Sequence, residues 1–534
     1  MEDFDYLIVG AGSAGCVLAE RLSASGRHKV LLIEEGPRDD HWLLRMPHGF
    51  GRIMFDPRFT VHHPTAHERH PGDPQEVWVR GRTLGGSSSI NGLVWVRGQP
   101  EDYDRIAELG GRGWSWADVA PYFKRLEDHA LGEDEVRGRG GPVAVRTHPD
   151  RTRLADAFIA AGGALGAPRK HDLNRPEQEG IGYLQTNVDR HGRRASAARA
   201  FLQPAMKRPN LSIMTGARAE RVLFEGRRAV GVAVRCGGEV REIRTSGEVI
   251  LSAGGLSSPQ ILQRSGVGPA ARLGALGVRV VHDSPGVGEN LREHFLLQLQ
   301  FRLKHRRDSQ NREYSGWRLV RNVLRYALTG GGVMTHGACT AAAFTRTQPG
   351  LNRPDMQIMF APYSYGAGKG GVRFEPEPGM HVFGYLLRPE SRGWIRIASA
   401  DPAEPAQIAP RYLTAETDRQ GSVAMIRQMR RLMAAPPIAG LVDQELSPTA
   451  EAQTDEDILA AFLRFGLPGM HACGACAMGE GPEAVVDGRL RVRGVEHLRV
   501  MDTSVYPEML SGNTNAPTMA LAWRASDLIL EDTR

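Results

Sequence analysis

The chain has 534 residues, 41% hydrophobic and 24% charged, which is long enough for several packed units and ordinary for a folded protein. Its net charge of +6 is carried by scattered arginines, with no block of like charge and no aromatic-interleaved basic patch; this excludes nucleic acid as a partner and leaves an anionic membrane surface compatible. There is no apolar run long enough to span a bilayer, the acidic start Met1–Asp5 does not read as a secretory signal, and five cysteines form no disulfide framework, so the expectation is a cytoplasmic protein, free or peripheral to the inner membrane.

In chain order, the first predicted element is a strand over Tyr6–Val9, which breaks into Gly10, Gly12 and Gly15. A helix follows over Ala14–Leu22, then a second strand over Val30–Ile33 that ends at Glu34. Gly10 permits the tight turn, Gly12 lets a pyrophosphate approach the helix N-terminus beside Ser13 and Ala14, and Gly15 lets helix and strand pack closely. Glu34 lies about 20 residues on, where a carboxylate binds a ribose hydroxyl. This is a dinucleotide site. The carboxylate disfavours a 2′-phosphate, which removes NADP and leaves FAD and NAD open.

Residues 37–75 lack periodicity and read as an irregular excursion. Its histidines, His62, His63, His67 and His70, are irregularly spaced in a Pro-rich stretch and read as a surface loop, so no metal site is expected. A glycine- and serine-rich block, 76–105, comes next. Further on, Leu211–Met214 reads as a strand, Ala219–Phe224 and Ala229–Arg235 as a hairpin, Glu248–Ser252 as a buried strand and Ser258–Ser265 as a helix. Residues 306–455 change character, with strands at Asp355–Phe360, His381–Leu387 and Gly393–Ala398 beside helices near Val320–Leu328 and Val423–Met433. That pattern predicts an antiparallel sheet with helices, a separate substrate-side layer. The tail returns to a strand at Leu498–Asp502 and a helix over Thr518–Leu530. The fold class is therefore α/β, a Rossmann-type domain joined to a second domain built on an antiparallel sheet flanked by helices.

The block RGRTLGGSSSINGLVWVRGQPEDYD, Arg80 to Asp104, resembles the first signature of the glucose–methanol–choline (GMC) oxidoreductases. GGLSSPQILQRSGVG, Gly254 to Gly268, resembles the second, departing at Gly255, where the family has a small residue with a side chain. PGVGENLREH (Pro285 to His294), LLRPESRGWIRIASADP (Leu386 to Pro402), HACGACAMG (His471 to Gly479) and RVMDTSVYPEMLSGNTNAPTMALAWRASD (Arg499 to Asp527) extend the likeness over the chain. The resemblance implies FAD rather than NAD. It also implies a discontinuous FAD-binding domain, residues 1–155, 195–305 and 466–534, and a substrate domain, residues 156–194 and 306–465.

By the same resemblance His471 faces the flavin as the base that takes an alcohol proton while hydride passes to flavin N5, a role that suits neutral imidazole. Asn513 matches the second active-site position and donates to the developing alkoxide. Gly85, Gly86, Ser87, Asn91 and Gly92 border the cofactor, Val222 resembles the residue whose backbone reads adenine, and Asp502 resembles one near the ribityl and phosphate, with a plain turn cap as the equal alternative. Asn515, two residues beyond Asn513, ranks below it. Ala472 stands where a proline commonly follows the histidine, and Cys473 and Cys476 form a C-x-x-C read as structural. The implied activity is oxidation of a primary alcohol, aliphatic or aromatic, to an aldehyde, with electrons passed to a quinone or other acceptor. Alternatives are an oxygen-using oxidase, a choline dehydrogenase and, as a minor reading, a hydroxynitrile lyase on the same scaffold. Ile90 occupies the position where some members attach flavin through a histidine, so FAD is expected to be noncovalent. Acid denaturation should therefore release all the flavin into the supernatant; yellow colour remaining with the precipitate would reveal a covalent link.

Overall fold

The computed structural model describes residues 4–67, 75–149, 151–368 and 371–533; His70 lies outside them. Five short strands form a parallel sheet: β1 (Tyr6–Val9), β2 (Val30–Ile33), β3 (Leu211–Met214), β4 (Glu248–Leu251) and β5 (Leu498–Val500), in the order β5-β4-β1-β2-β3. Tyr6 of β1 sits opposite Val30 on one side and Glu248 on the other, so the N-terminal strand is central. Every residue of β1 and β2 is buried, as expected for a parallel sheet covered on both faces. Helix α1 (Ser13–Ser23) follows the glycine turn, and the last helix, α2 (Asn515–Asp532), packs directly on it. The predicted hairpin is present as Ala217–Glu225 and Arg228–Cys236, with a third strand, Glu239–Arg244, completing a small sheet.

The second sheet is antiparallel. Its strands run Val442–Glu445, Phe295–Leu303, Gly379–Leu386, Met356–Ala361, Ala341–Thr345 and Gly180–Tyr183, with Leu467–Pro468 added beside Phe295–Leu296. Phe295–Leu303 belongs to this sheet although the sequence division placed it with the nucleotide domain. Alternation decides what each face does. Leu297, Ile358 and Val382 pack into a core with Met425, Met429 and Phe158 from helices Glu416–Ala434 and Arg153–Ala164. Leu296, Met359 and Phe383 point the other way and line a cavity.

The excursion after β2 is more ordered than its composition suggests. It holds short helices at Trp42–Arg45 and Phe50–Ile53 and a hairpin pairing Thr60–Pro64 with Val77–Gly81. A strand containing two histidines and a proline carries no apolar alternation, so pairing rather than periodicity defines it.

Gly15 shows how tightly the nucleotide turn is built: a Cβ there would sit 1.9 Å from the Gly10 carbonyl oxygen. Gly15→Ala should therefore push α1 off β1, at about 1–3 kcal/mol for overpacking, and yield protein with a lower melting midpoint and less bound flavin per chain, both measurable on one purified sample.

Candidate functional site

A cavity of about 670 Å³ runs from the C-terminal ends of β1 and β2 to the seven-stranded sheet. This is where open α/β sheets bind ligands. Gly10, at φ +98°, takes a hydrogen bond path of its own, its N–H donating to the Ile33 carbonyl at 2.7 Å. A Cβ on Gly12 would meet nothing nearer than 4.0 Å, so the space over the α1 N-terminus is open. A Cβ on Gly86 would instead lie 2.7 Å from the Gly12 Cα, because the Gly85–Ser89 turn is pressed against the first one. Ser88 and Ser89 spend their hydroxyls inside that turn, on the Gly85 and Leu84 carbonyls, whereas Ser87 is exposed and accepts from the Gly81 N–H.

Two helices begin at this wall without caps. Neither α1 nor α2 has a side chain bonded to its first N–H groups or an acid in its first turn. Ser13 Oγ donates to Asn515 Oδ1 at 2.8 Å and ties the two starts together, while Asn515 Nδ2 is buried with no partner. Unsatisfied donors at two helix N-termini, an open glycine and an orphaned amide make a fitting cradle for a pyrophosphate. Glu34 is buried, which pushes its carboxyl up to about 7, and its oxygens accept the N–H groups of Ala11 and Gly36 at 2.9 Å each. Asp502 is likewise raised by burial and accepts from Gly254 N–H, Ser258 Oγ and Ser504 N–H. It thus caps its own turn while facing the cavity.

At the other end, the segment after Leu467–Pro468 runs antiparallel to residues 292–296, with Arg292 and Cys473 exchanging backbone hydrogen bonds of 3.0 Å. This register sets His471 beside His294, their Nδ1 atoms 2.8 Å apart. Burial, reinforced for His471 by His294 and Arg80, drops both imidazoles below their ordinary value, His294 to about 4, so both are neutral and each carries one N–H. His294 Nε2 lies 2.9 Å from the Leu387 carbonyl, which only accepts, so its proton is on Nε2. Its Nδ1 must then accept, and His471 must donate from Nδ1. The lone pair of His471 is left on Nε2, facing the cavity and Asn513 Nδ2 at 3.1 Å. Asn513 is held in turn: Gln357 Nε2 donates to its Oδ1 at 3.3 Å, and the Tyr385 hydroxyl donates to Gln357 Oε1 at 2.7 Å. Glu293 Oε1 accepts the N–H groups of both His294 and His471, at 2.9 and 2.7 Å.

The cavity thus brings together His471, Asn513, Gly10, Gly12, Ser13, Ala14, Glu34, Gly86, Ser87, Asn91, Gly92, Asp502 and Asn515. Gly85 supports the wall from behind, its N–H on the Ala11 carbonyl. Asn91 is oriented by Arg194, which donates to its Oδ1 at 2.7 Å. Val222 is buried behind this wall, its N–H donating to Ser265 Oγ at 2.7 Å, while Ala217, Arg218 and Ala219 of the same strand line the cavity. A bulge between Ala219 and Arg221 shifts the strand's alternation. His294, Glu293, Gln357 and Tyr385 were not singled out from sequence; the first two stand at the end of PGVGENLREH. Of the described histidines of the excursion, His62 and His63 both line the cavity, His62 also reaching the Met54 carbonyl, and His67 packs edge-on against Phe295 and Tyr412. Cys473 and Cys476 are buried free thiols, that of Cys473 pushed up to about 12 by burial. Gly255 meets the chain's other departure: a Cβ on it would lie 2.4 Å from the carbonyl oxygen of Ala472.

A dinucleotide cradle opening onto a neutral, tautomer-fixed histidine defines an oxidoreductase that works with a bound flavin or nicotinamide. The GMC oxidoreductase family models match residues 4–296 and 389–522, and the chain belongs to that family. It is 39% identical to an oxygen-dependent choline dehydrogenase of Photobacterium profundum over 99% of this chain and 93% of that one. It is 37% identical to an alcohol dehydrogenase [acceptor] of Pseudomonas putida over 99% and 96%. Pyridoxine 4-oxidase from Mesorbium loti superposes with a TM-score of 0.88 at 28% identity, covering 99% of both chains. The protein is an FAD-dependent oxidoreductase acting on CH–OH donors.

His294→Ala should remove the group that fixes the His471 tautomer. Flavin reduction by alcohol should slow about 5- to 150-fold, the worth of leaving a buried donor unpaired, with FAD content kept. In the native protein the rate should stay flat from pH 9 to pH 6, because an imidazole lowered below its ordinary value gains its proton only at more acid pH. A rate that falls through pH 6.5 in stopped-flow traces would contradict the buried neutral pair.

Proposed function

We propose that this chain oxidises an uncharged primary alcohol with an apolar body to the aldehyde, holding FAD noncovalently and passing electrons to an acceptor other than oxygen, such as a quinone. The observation that carries the substrate class is the wall around His471 and Asn513, made by Val94, Leu296, Ala338, Met359, Phe383 and Tyr385. Among the described residues, the carboxylates that line the cavity are Glu34, Glu35, Glu404 and Asp502, on the nucleotide side. A quaternary ammonium is held by aromatic faces and acidic charge. Here Tyr385 spends one face stacking on His294, 4.3 Å away and 20° from parallel, and Glu293 is committed to two backbone amides. That favours an alkyl or aryl alcohol over choline.

Bound at the glycine cradle, the flavin supplies the hydride acceptor. The protein's part is the proton. His471 Nε2, with its lone pair exposed, takes the hydroxyl proton, and its Nδ1–H remains bonded to His294 throughout. Asn513 Nδ2 donates to the oxygen as negative charge grows on it. Gln357 and Tyr385 keep that amide in the donating orientation. The apolar wall excludes water and strengthens both interactions.

An anaerobic panel of 1-alkanols, benzyl alcohol and choline should bleach the flavin with the neutral alcohols and hardly with choline; faster bleaching by choline would overturn the substrate reading. Reoxidation should be faster with a soluble quinone than with readmitted air, and hydrogen peroxide at a matching rate would make the protein an oxidase. His471→Ala should slow flavin reduction about 100- to 10,000-fold with FAD retained.

A further inference from the structure

The helix Gly316–Thr329 stands out because its apolar residues face outward. Trp317, Val320, Leu324 and Leu328 are 68, 59, 57 and 84% exposed, and Asn322 is the helix's one buried residue. Their spacing, i, i+3, i+7 and i+11, sets them in a single stripe about 16 Å long. The opposite face seats the helix: Val323 and Tyr326 pack on the cluster of Met46, Tyr314, Met334 and Tyr363. The stripe is therefore a surface feature of a firmly held helix.

Its charge is one-sided. The helix contains Arg318, Arg321 and Arg325 and no acid, and the arginines flank the stripe along one edge. At the C-terminal end Gly330 packs on the loop that carries exposed Arg190, His191 and Arg193. The acids nearby are already engaged. Glu313 bridges Arg318 and Arg321 at 3.0 and 2.8 Å, one acid against two guanidinium groups, and Asp189 accepts the backbone N–H groups of His191 and Arg193 at 2.8 Å each, one acid beside Arg190 and Arg193, so each group keeps a net positive charge. Asp308 and Glu377, in the neighbouring turn, face Arg153 and Arg306.

We infer that this face is a docking surface for an anionic lipid bilayer, the apolar stripe entering the headgroup boundary and the arginines meeting acidic headgroups. A strongly amphipathic helix with Trp and Leu on one face and arginines beside it has the make-up of an interfacial helix, and no helix among the described residues is long and apolar enough to cross a membrane. A second copy of the chain fits less well. A two-fold contact through the stripe would bring Arg321 and Arg325 of both copies together with no acid on the helix to pair them. The surface also adjoins the cavity: the cluster that seats the helix includes Met46, and the turn Pro47–Gly49 leads to Phe50 and Met54 on the cavity wall. The inference stands apart from the choice of alcohol.

The test is flotation of the FAD-loaded full chain with vesicles of phosphatidylcholine alone and with one-third phosphatidylglycerol, in low and high salt. Binding should require the anionic lipid and weaken with salt. The triple variant Val320→Ser, Leu324→Ser, Leu328→Ser should lose binding while keeping its flavin spectrum and alcohol-dependent bleaching, since only exposed groups change. Arg190→Gln with Arg325→Gln should weaken binding by about five-fold per charge. Absence of binding in low salt, equal binding to both vesicles, or full binding by the triple variant would each overturn the inference. So would a concentration-dependent dimer in sedimentation velocity that the triple variant abolishes, because the stripe would then belong to a second copy.

Discussion

The hydrogen bond from Ser13 Oγ to Asn515 Oδ1 joins positions 502 residues apart, and the nucleotide half of the molecule is organised around it. Two helices start side by side, neither capped, neither carrying an acid in its first turn. Their partial positive ends repel each other and leave N–H groups unpaired until an anion arrives. The fold has therefore deferred part of its polar satisfaction to the cofactor. A ligand that binds only the folded chain stabilises it by mass action, so an anion held at these two helix starts would stabilise this half as well as take part in the chemistry. The layer closes late in the chain. Strand β5 pairs with β4 only after residue 497, and α2 then covers α1.

The catalytic end depends on register instead. Leu467–Pro468 adds to the antiparallel sheet opposite Phe295–Leu296, and that pairing fixes which residues of the two segments lie side by side. A slip of one residue would turn His471 away from both His294 and the cavity. Once the register is set, a backbone atom decides the chemistry. The Leu387 carbonyl accepts a proton from His294, and the constraint passes through two imidazoles to leave a lone pair at His471 Nε2. The proton inventory of the active site is thus written by the sheet, with burial and Arg80 keeping His471 neutral.

Much of this could be read in the sequence, for identifiable reasons. The stretch from Tyr6 to Glu34 has strict length limits and two glycines with no room for a side chain, as the 2.4 Å approach at Gly10 and the 1.9 Å approach at Gly15 show, so sequence and structure agree element by element. His471 and Asn513 were legible only through the resemblance of HACGACAMG and NTNAP to the family's segments, since a lone histidine and an asparagine after Gly512 carry no such signal. What escaped was whatever depends on pairing rather than on periodicity. Thr60–Pro64 becomes a strand because Val77–Gly81 lies beside it. Gln357 and Tyr385 lie in strands that were foreseen, but both faces of that sheet are covered, one by helices and one by the cavity, so alternation could not say which face met Asn513. His294 was in view within PGVGENLREH, yet nothing local says that it will meet a residue 177 positions away.

Two of the positions at which the chain departs from the family signatures it resembles touch each other. Gly255 stands where a small side chain is usual, and Ala472 where a proline commonly follows the histidine. The Ala472 carbonyl occupies the space a Cβ on Gly255 would need, 2.4 Å away, and accepts from Thr503 Oγ1 at 2.8 Å. A proline at 472 would fix φ and stiffen the loop by its ring. Without it, the loop is held by hydrogen bonds: the His471 N–H to Glu293, the Ala472 carbonyl from Thr503, and the paired amides of Cys473 and Arg292. Rigidity that a ring would have supplied locally comes from two neighbouring segments, Arg292–Glu293 and Thr503. The position of the His471 imidazole consequently rests on the buried Glu293 carboxylate, raised to about 7 by its burial and drawn back down by Arg80 3.7 Å away, so the loop and the charge balance behind it form one unit.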